Sequence, residues 1–211
     1  MNLDVRILDP EKIEARSFEV IEQEMGRHSF TPEEWKIVRR IIHATADFDL
    51  GRSVLFHPEA IRSGIDAIRQ GCGIVADVQM VQAGINKTSC SRFGNHVYCF
   101  IGDRDVARRA KAAGLTRAIV SMRKARKKLH RGIVVIGNAP TALLEVIRLA
   151  QEETIIPALI IGVPVGFVSA AESKEVLAKL RIPYITNRGR KGGTPVAVAT
   201  VNALLGLSLQ G

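Results

Sequence analysis

One segment of the sequence brings together residue types that transfer protons and bind anions. It reads Arg39-Arg40-Ile41-Ile42-His43-Ala44-Thr45-Ala46-Asp47-Phe48-Asp49. The imidazole of a histidine exchanges a proton near neutral pH, and guanidinium groups bind carboxylates and phosphates through paired hydrogen bonds. The segment therefore offers a proton donor beside an anion clamp, which would serve an enzyme that acts on an anionic substrate.

A helix is expected to position this histidine. Thr31-Pro32-Glu33-Glu34 has the residue types of a capping box with proline at the first helical position, so the helix should begin near residue 32. At 3.6 residues per turn, the apolar side chains share one stripe and the polar ones share another, which holds Lys36, Arg39, Arg40, His43 and Asp47. Two interpretations stay open at this point: His43 is a reacting group, or it is a solvated residue on a charged helix face.

Length and composition favour one α/β domain. The chain has 211 residues, of which 46% are apolar, enough to bury a complete core. We expect this domain to span residues 1–211, with residues 1–50 forming a helical N-terminal part that carries the histidine. No apolar run reaches the roughly 18 residues of a membrane span, and Met1-Asn2-Leu3-Asp4-Val5-Arg6 lacks the apolar stretch of a signal peptide. We therefore expect a cytoplasmic protein with no membrane partner.

The cysteines and the paired aspartates predict no metal site. Cys72, Cys90 and Cys99 form no C-x-x-C pair, and no histidines lie near them at zinc-binding spacing. Asp47 and Asp49 lack a third ligand at a diagnostic spacing. We expect reduced thiols and no bound metal.

The net charge of +9 and the isoelectric point near 9.9 indicate an acidic partner. Residues 117–131 carry the densest group of cations, which suggests nucleic acid at first. However, aromatic residues make up only 5% of the chain and are not interleaved with the cations, as they are in proteins that bind single strands. A small polyanionic substrate, or solubility alone, explains the charge as well. We expect no nucleic acid, while a basic α/β nucleic-acid-binding protein stays as an alternative.

The pattern after residue 54 predicts a largely parallel central sheet with helices on both faces, because strand-like and helical segments alternate with short Gly and Pro punctuation. The predicted strands are 73–77, 96–101, 133–137, 158–162 and 184–186. The predicted helices are 57–70, 78–83, 105–113, 117–129, 138–152, 169–180 and 194–205, and residues 84–94 are predicted to form a loop. Ser169 and Glu172 are expected to form a capping box.

The loop before the last helix could bind an anion. Gly192-Gly193 precedes a helix start at Thr194-Pro195 and follows Arg188, Arg190 and Lys191, so amides and cations could cradle a carboxylate or a phosphate. An ordinary glycine-rich turn explains the same residues. Elsewhere, Gly71-Cys72-Gly73-Ile74-Val75-Ala76 fits the dinucleotide pattern formally but follows a helix and precedes a strand, the reverse of the required order.

Three longer segments resemble one family in their order along the chain. They are His43-Ala44-Thr45-Ala46-Asp47-Phe48-Asp49, then Gly162-Val163-Pro164-Val165-Gly166-Phe167-Val168-Ser169-Ala170-Ala171-Glu172-Ser173-Lys174, and finally Gly192-Gly193 leading to Val201-Asn202-Ala203-Leu204. These motifs are similar to those of the precorrin-8X methylmutases, also called precorrin isomerases, and the similarity spans most of the chain.

The resemblance implies an isomerase of cobalamin biosynthesis. The family moves a ring methyl group from C-11 to C-12, turning precorrin-8X into hydrogenobyrinate or its cobalt-bearing equivalent into cobyrinate, and the sequence leaves the choice of substrate open. It implies that no cofactor takes part: no redox group, no methyl donor and no covalent nucleophile. A noncatalytic corrinoid carrier is a further alternative.

The resemblance also assigns residues and partners. It implies that His43 donates and accepts the proton, that Ser17 and Arg40 bind the substrate, and that Arg117 contacts a carboxylate. The substrate is a tetrapyrrole with several carboxylates, and the expected assembly is a homodimer with sites near the subunit boundary. Neighbouring Arg39 and Arg40 favour a neutral imidazole, whereas Asp47 favours a protonated one, and the sequence leaves this balance open.

Overall fold

A six-stranded sheet forms the centre of the computed structural model, which describes residues 10–210. The strand order is β1-β6-β5-β4-β2-β3, and every pairing is parallel except the antiparallel one between β1 and β6. The strands are β1 (Val54–Phe56), β2 (Gly73–Ala76), β3 (His96–Tyr98), β4 (Ile133–Ile136), β5 (Leu159–Gly162) and β6 (Tyr184–Asn187). Residues 1–9 lie outside the described range, so the prediction made from residues 1–6 is not addressed by the structure.

Helices cover both faces of the sheet. They are α1 (Pro10–Met25), α2 (Pro32–Thr45), α3 (Phe48–Arg52), α4 (Ala60–Arg69), α5 (Gln79–Gly84), α6 (Lys87–Phe93), α7 (Arg104–Ala113), α8 (Arg117–Leu129), α9 (Pro140–Glu152), α10 (Ala170–Leu177) and α11 (Thr194–Ser208). Alternate residues of β4 show the two layers, because Ile133 and Val135 pack with α2, α4 and α11, whereas Val134 and Ile136 pack with α8 and α9. The central strands are buried on both sides and therefore read as continuous apolar runs.

This architecture confirms the predicted α/β class, the largely parallel sheet and the helices on both faces. All five predicted strands are present. The edge strand β1 was not predicted, because three residues are too few to show an alternating pattern. Among residues 10–210, no helix combines the length and the apolar character that crossing a lipid bilayer requires.

The prediction of a loop over residues 84–94 is wrong in its middle part, which forms α6. The Asn86 side chain accepts a hydrogen bond from Ser89 N at 3.0 Å, and Gly94 ends the helix with a φ of 72°. Cys90 is buried against the sheet layer. Seven residues between two glycines are too few to show helical periodicity, so the glycines suggested a loop.

The predicted capping box at Ser169 is also wrong, although the helix begins where it was expected. Ser169 has a φ of 60° and its side chain makes no capping hydrogen bond. A capping side chain usually belongs to a residue with extended backbone, whereas Ser169 is left-handed, so local residue types predicted the helix but not its cap.

Helix α2 begins as the sequence predicts and ends earlier. Thr31 Oγ1 accepts from Glu34 N at 3.3 Å, and Glu34 Oε2 accepts from Thr31 N at 2.9 Å, which completes the capping box. Ala46 ends the helix in the left-handed conformation, with its amide bonded to Ile42 O. Asp47 therefore does not lie on the charged face of α2, and the prediction that placed it there is wrong.

Candidate active site

His43 lies at the carboxyl edge of the sheet, in the last turn of α2. Helix α2 runs antiparallel to α11: Lys36 near the start of α2 donates to Gln210 beyond α11, and Asp47 after α2 pairs with Lys191 before α11. Because α11 follows the carboxyl end of β6, His43 is near that edge. Ligands of open parallel sheets bind at this edge.

A groove runs between α2 and α11 beside the imidazole. Its volume is about 640 Å³. Polar side chains line it from two sides, and Ala199, Ala203 and Gly206 keep its α11 wall low; the polar lining residues are Lys36, Arg39, Arg40, His43, Asn86, Ser89, Asn202 and Gln210. The groove thus combines cations, amides and the imidazole, a lining suited to an anionic ligand.

A second hollow lies on the other side of His43, under α1. Its volume is about 460 Å³, and Ser17, Ile42, His43 and Phe48 are among its lining residues. The Ser17 hydroxyl donates to Ile13 O at 2.8 Å within α1. The fold therefore brings Ser17 to the same hollow as His43.

Phe18 of α1 organises the cations around the histidine. The guanidinium carbons of Arg39 and Arg40 lie 4.2 Å and 4.9 Å from the centre of its ring. The His43 ring meets the same phenyl ring edge-on, with a centroid separation of 5.3 Å. Cations are attracted to the ring face, so one aromatic side chain orients both guanidiniums. The sequence analysis missed Phe18, since nothing in the sequence indicates that α1 crosses α2 here.

Carboxylates of α1 occupy both guanidiniums. Arg39 pairs with Glu22 at 2.7 Å, and Arg40 pairs with Glu14 through both of its terminal nitrogens. Among the described residues, the buried Nε of Arg39 has no hydrogen-bond partner. The two guanidiniums considered as an anion clamp from the sequence are thus paired with carboxylates of the chain itself.

Asp47 serves the backbone and a distant lysine. One carboxylate oxygen accepts from Leu50 N at 2.8 Å and caps α3, and the other accepts from Lys191 Nζ at 2.6 Å. The hydrogen bond from Lys191, followed by that from Leu50, lowers the pKa of the Asp47 carboxyl. The pairing spans 144 residues of sequence, so no local pattern could have indicated it.

Arg117 is not brought to His43 within one chain. It is the first residue of α8 and is exposed, and it lines neither hollow around the histidine. Thr116 next to it contacts Thr141 at the start of α9, with 3.2 Å between the hydroxyls. Arg117 therefore shares the carboxyl edge with His43 but lies on the opposite face of the sheet.

The loop before α11 does not form the open anion cradle considered from the sequence. The amide of Gly193 donates to Val163 O at 2.8 Å, and the Lys191 side chain is paired with Asp47. Arg188 and Arg190 are exposed, and the Arg190 guanidinium lies 5.8 Å from the Phe167 ring centre. The glycines instead let this loop pack closely against the loop after β5.

Three of the six lysines and arginines in α8 are paired with acids of the same chain. Arg123 pairs with the buried Glu145 at 2.9 Å, and Arg126 pairs with Glu153 at 3.0 Å. Lys124 contacts both Asp103 and Asp105 at 2.6 Å. These pairs reduce the positive potential that nucleic-acid binding by this helix would require.

The geometry defines a class of protein before any relative is considered. The chain is a single-domain α/β protein with an imidazole, a guanidinium pair and a hydroxyl around two adjoining hollows at the carboxyl edge. Such a site can bind a large anionic ligand and transfer a proton to it.

Comparison with known proteins identifies the family. The family model for precorrin-8X methylmutase matches residues 12–207. The cobalt-precorrin-8 methylmutase of Priestia megaterium is 58% identical over 93% of this chain and 88% of its own length. The precorrin-8X methylmutase of Pseudomonas aeruginosa is 38% identical over 94% of this chain and 96% of its own length.

A solved structure agrees with these sequence relatives. The precorrin-8X methylmutase of Thermus thermophilus superposes with a TM-score of 0.89 at 40% identity, covering 95% of this chain and 97% of that one. The chain belongs to the precorrin-8X methylmutase family, and the resemblance found in the sequence is confirmed.

Proposed function

We propose that this enzyme moves the ring methyl group of cobalt-precorrin-8 from C-11 to C-12 and releases cobyrinate. Family membership over residues 12–207 carries this proposal. The cobalt-bearing substrate is favoured over precorrin-8X because relatives named for it reach 58%, 55% and 49% identity, whereas proteins named for precorrin-8X reach 40%, 38% and 34%.

In the proposed mechanism His43 protonates the macrocycle and later takes the proton back. Protonating a ring nitrogen polarises the conjugated system, which eases migration of the methyl group between adjacent carbons. Substrate and product are isomers, so the reaction consumes no oxidant, reductant or methyl donor. The position of His43 between two hollows supports this role, because a ring seated there meets the imidazole.

Arg40 and Ser17 are proposed to bind the substrate. Arg40 lines the larger hollow and Ser17 the smaller one, so the two side chains approach a ligand at His43 from different sides. Guanidinium groups bind carboxylates strongly, and a hydroxyl can donate or accept at the ring periphery.

The proposal also includes a homodimer, to which Arg117 contributes across the subunit boundary. Within one chain, Arg117 lies on the opposite face of the sheet from His43. In a homodimer, the Arg117 guanidinium of one subunit could contact the ring bound at His43 of the other subunit. Mixing His43→Ala with Arg117→Ala tests this arrangement at low substrate concentration. Sites shared between subunits should restore roughly a quarter of the wild-type rate in the mixture. A mixture no faster than the average of its two components contradicts the shared site.

The cytoplasmic location inferred from the sequence stays a prediction.

The decisive experiment follows the visible spectrum of cobalt-precorrin-8, and separately of precorrin-8X, after the purified enzyme is added. Conversion of cobalt-precorrin-8 to the cobyrinate chromophore supports the proposal, whereas conversion of precorrin-8X alone, to hydrogenobyrinate, contradicts the choice of the cobalt-bearing substrate. Binding without conversion of either indicates a carrier. His43→Ala should retain binding and lose about 10²- to 10⁴-fold in kcat. Arg40→Ala should weaken binding about 10- to 100-fold with a smaller effect on kcat. Loss of binding in a folded His43→Ala variant would contradict the role assigned to the imidazole.

A further inference from the structure

Lys174 of α10 is a buried lysine without a carboxylate partner among the described residues. Only 2% of it is exposed. Its ammonium group donates to Asn187 Oδ1 at 3.2 Å and to the backbone carbonyl of Lys191 at 2.6 Å. Burial lowers the pKa of this ammonium group to about 8. The protein therefore buries a charged group whose two hydrogen-bond acceptors are both neutral oxygens.

This arrangement calls for an explanation because burying a charge is costly. Desolvation of an ammonium group is offset only when good hydrogen bonds or an opposite charge replace water. A methionine has nearly the same length and would fill the space without that cost. The function of a lysine at this position is therefore to hold, through its hydrogen bonds, the backbone of the loop between β6 and α11.

Two buried side chains, Lys174 and Asn187, donate hydrogen bonds to the same carbonyl, that of Lys191. Asn187 accepts from Lys174 and in turn donates from Nδ2 to Lys191 O at 2.8 Å and to Arg188 O at 3.0 Å. The carbonyl of Lys191 therefore accepts hydrogen bonds from two buried side chains. Further along, the Gly193 amide bonds to Val163 O, which joins this loop to the one after β5.

The side chain of Lys191 connects this loop to the end of α2, the helix that carries His43. Lys191 Nζ pairs with Asp47 Oδ2 at 2.6 Å, and Asp47 caps α3 through Leu50 N. Asp47 directly follows Ala46, the residue that ends α2 one turn after His43. A continuous set of contacts therefore leads from the buried ammonium group to the end of the helix that carries the imidazole.

We propose that Lys174 is a positioning residue, which holds the Lys191 backbone so that the Lys191 side chain fixes Asp47 and with it the orientation of His43. The inference rests on the proposed function, since it presupposes that the imidazole acts on the substrate. Lys174 itself contacts neither hollow around His43.

Lys174→Met tests the proposal, with Lys179→Met as the matched control. Lys179 is exposed and makes no ion pair or side-chain hydrogen bond among the described residues, so its substitution should leave kcat unchanged. Lys174→Met should lower kcat about tenfold with KM changed less than twofold, because orientation of the imidazole is lost while the carboxylate-binding cations remain. Lys191→Met, a change at an exposed side chain, should lower kcat in the same way without disturbing the core.

A double variant separates positioning from a general loss of structure. In the His43→Ala background, Lys174→Met should not lower the residual rate further, because the group that it positions is absent. A further tenfold fall in that background would overturn the proposal. Thermal unfolding of each variant confirms that the compared proteins are folded.

A second readout is independent of turnover. The imidazole proton resonances of His43, identified by their absence in His43→Ala, should shift in Lys174→Met and in Lys191→Met but not in Lys179→Met. Unchanged His43 resonances in Lys174→Met would overturn the inference even if wild-type turnover were normal. If wild type converts neither substrate while these resonances respond, the positioning link stands and the proposed function fails.

Discussion

The guanidinium of Arg40 is ion-paired with the carboxylate of Glu14 on the helix that covers it. Arg40 is also the residue proposed to bind a carboxylate of the substrate. On the proposed role of Arg40, the Glu14 carboxylate occupies the position that a substrate carboxylate would take. Binding of the ring then requires this pair to exchange partners, which would link substrate affinity to α1. Arg39 is paired with Glu22 of the same helix.

Removing the charge of Glu14 should tighten substrate binding. In Glu14→Gln, the guanidinium of Arg40 no longer has a competing carboxylate, and the exposed pair is worth less than about 1 kcal/mol, so KM should fall about two- to fivefold. Steady-state kinetics at low salt measures the effect. Glu33→Gln is the control, since Glu33 is an exposed residue in the first turn of α2 that lines neither hollow around His43, so KM should be unchanged. A higher KM in Glu14→Gln would show that the pair prepares the site instead of competing with the substrate.

Gly192 should be far less tolerant of substitution than Gly189. Both have positive φ, at 153° and 76°, but a Cβ at Gly192 would lie 2.3 Å from Val163 O, whereas nothing lies within 4 Å of one at Gly189. We expect Gly189→Ala to lower the free energy of unfolding by about 1 kcal/mol from backbone strain alone. Gly192→Ala should cost about 3 kcal/mol or more, because the two loops must separate. Urea denaturation measures both, and equal losses would contradict the close packing of the loops.

The capping box of α2 should contribute to stability without affecting catalysis. Thr31→Ala removes the hydrogen bond to Glu34 N and should lower the free energy of unfolding by about 1 kcal/mol. His43 lies at the other end of the helix, so kcat should not change. Thr88→Ala is a suitable control, because Thr88 is exposed within α6 and makes no hydrogen bond through its side chain among the described residues. A fall in kcat for Thr31→Ala would indicate that the whole of α2 shifts.

Local sequence patterns predicted the elements of the fold because those patterns report on burial. The apolar run Ile133–Ile136 is buried on both sides, and the start of α2 follows from Thr31 and Glu34, which are neighbours in the chain. The same reasoning placed His43 on an exposed face beside Arg40. It extended that face to Asp47, because the left-handed turn at Ala46 leaves no mark in residue type.

The parts of the site that could not be predicted depend on contacts between distant segments. Lys191 meets Asp47 across 144 residues, and Phe18 meets Arg39 only because α1 packs across α2. The resemblance supplied Ser17 and Arg40 without indicating that Glu14 pairs with Arg40. Periodicity decides which face of an element is buried, whereas the packing of whole layers decides which residues meet.

The buried ammonium group of Lys174 should make stability depend on pH in the alkaline range. Its pKa is about 8 in the folded protein and near the ordinary value of 10.5 in the unfolded chain. Between these values the unfolded state binds more protons, so the free energy of unfolding rises with pH, by up to about 3 kcal/mol from this group. Below pH 8 both states are protonated and the full cost of burying the charge is present.

Other groups titrate over the same range, so the informative quantity is the difference between wild type and Lys174→Met, measured by urea denaturation from pH 7 to 10.5. This difference should shift in favour of wild type throughout the rise from pH 8 to 10.5, while Lys179→Met should run parallel to wild type. A difference independent of pH would show that Lys174 titrates normally and is solvated in solution.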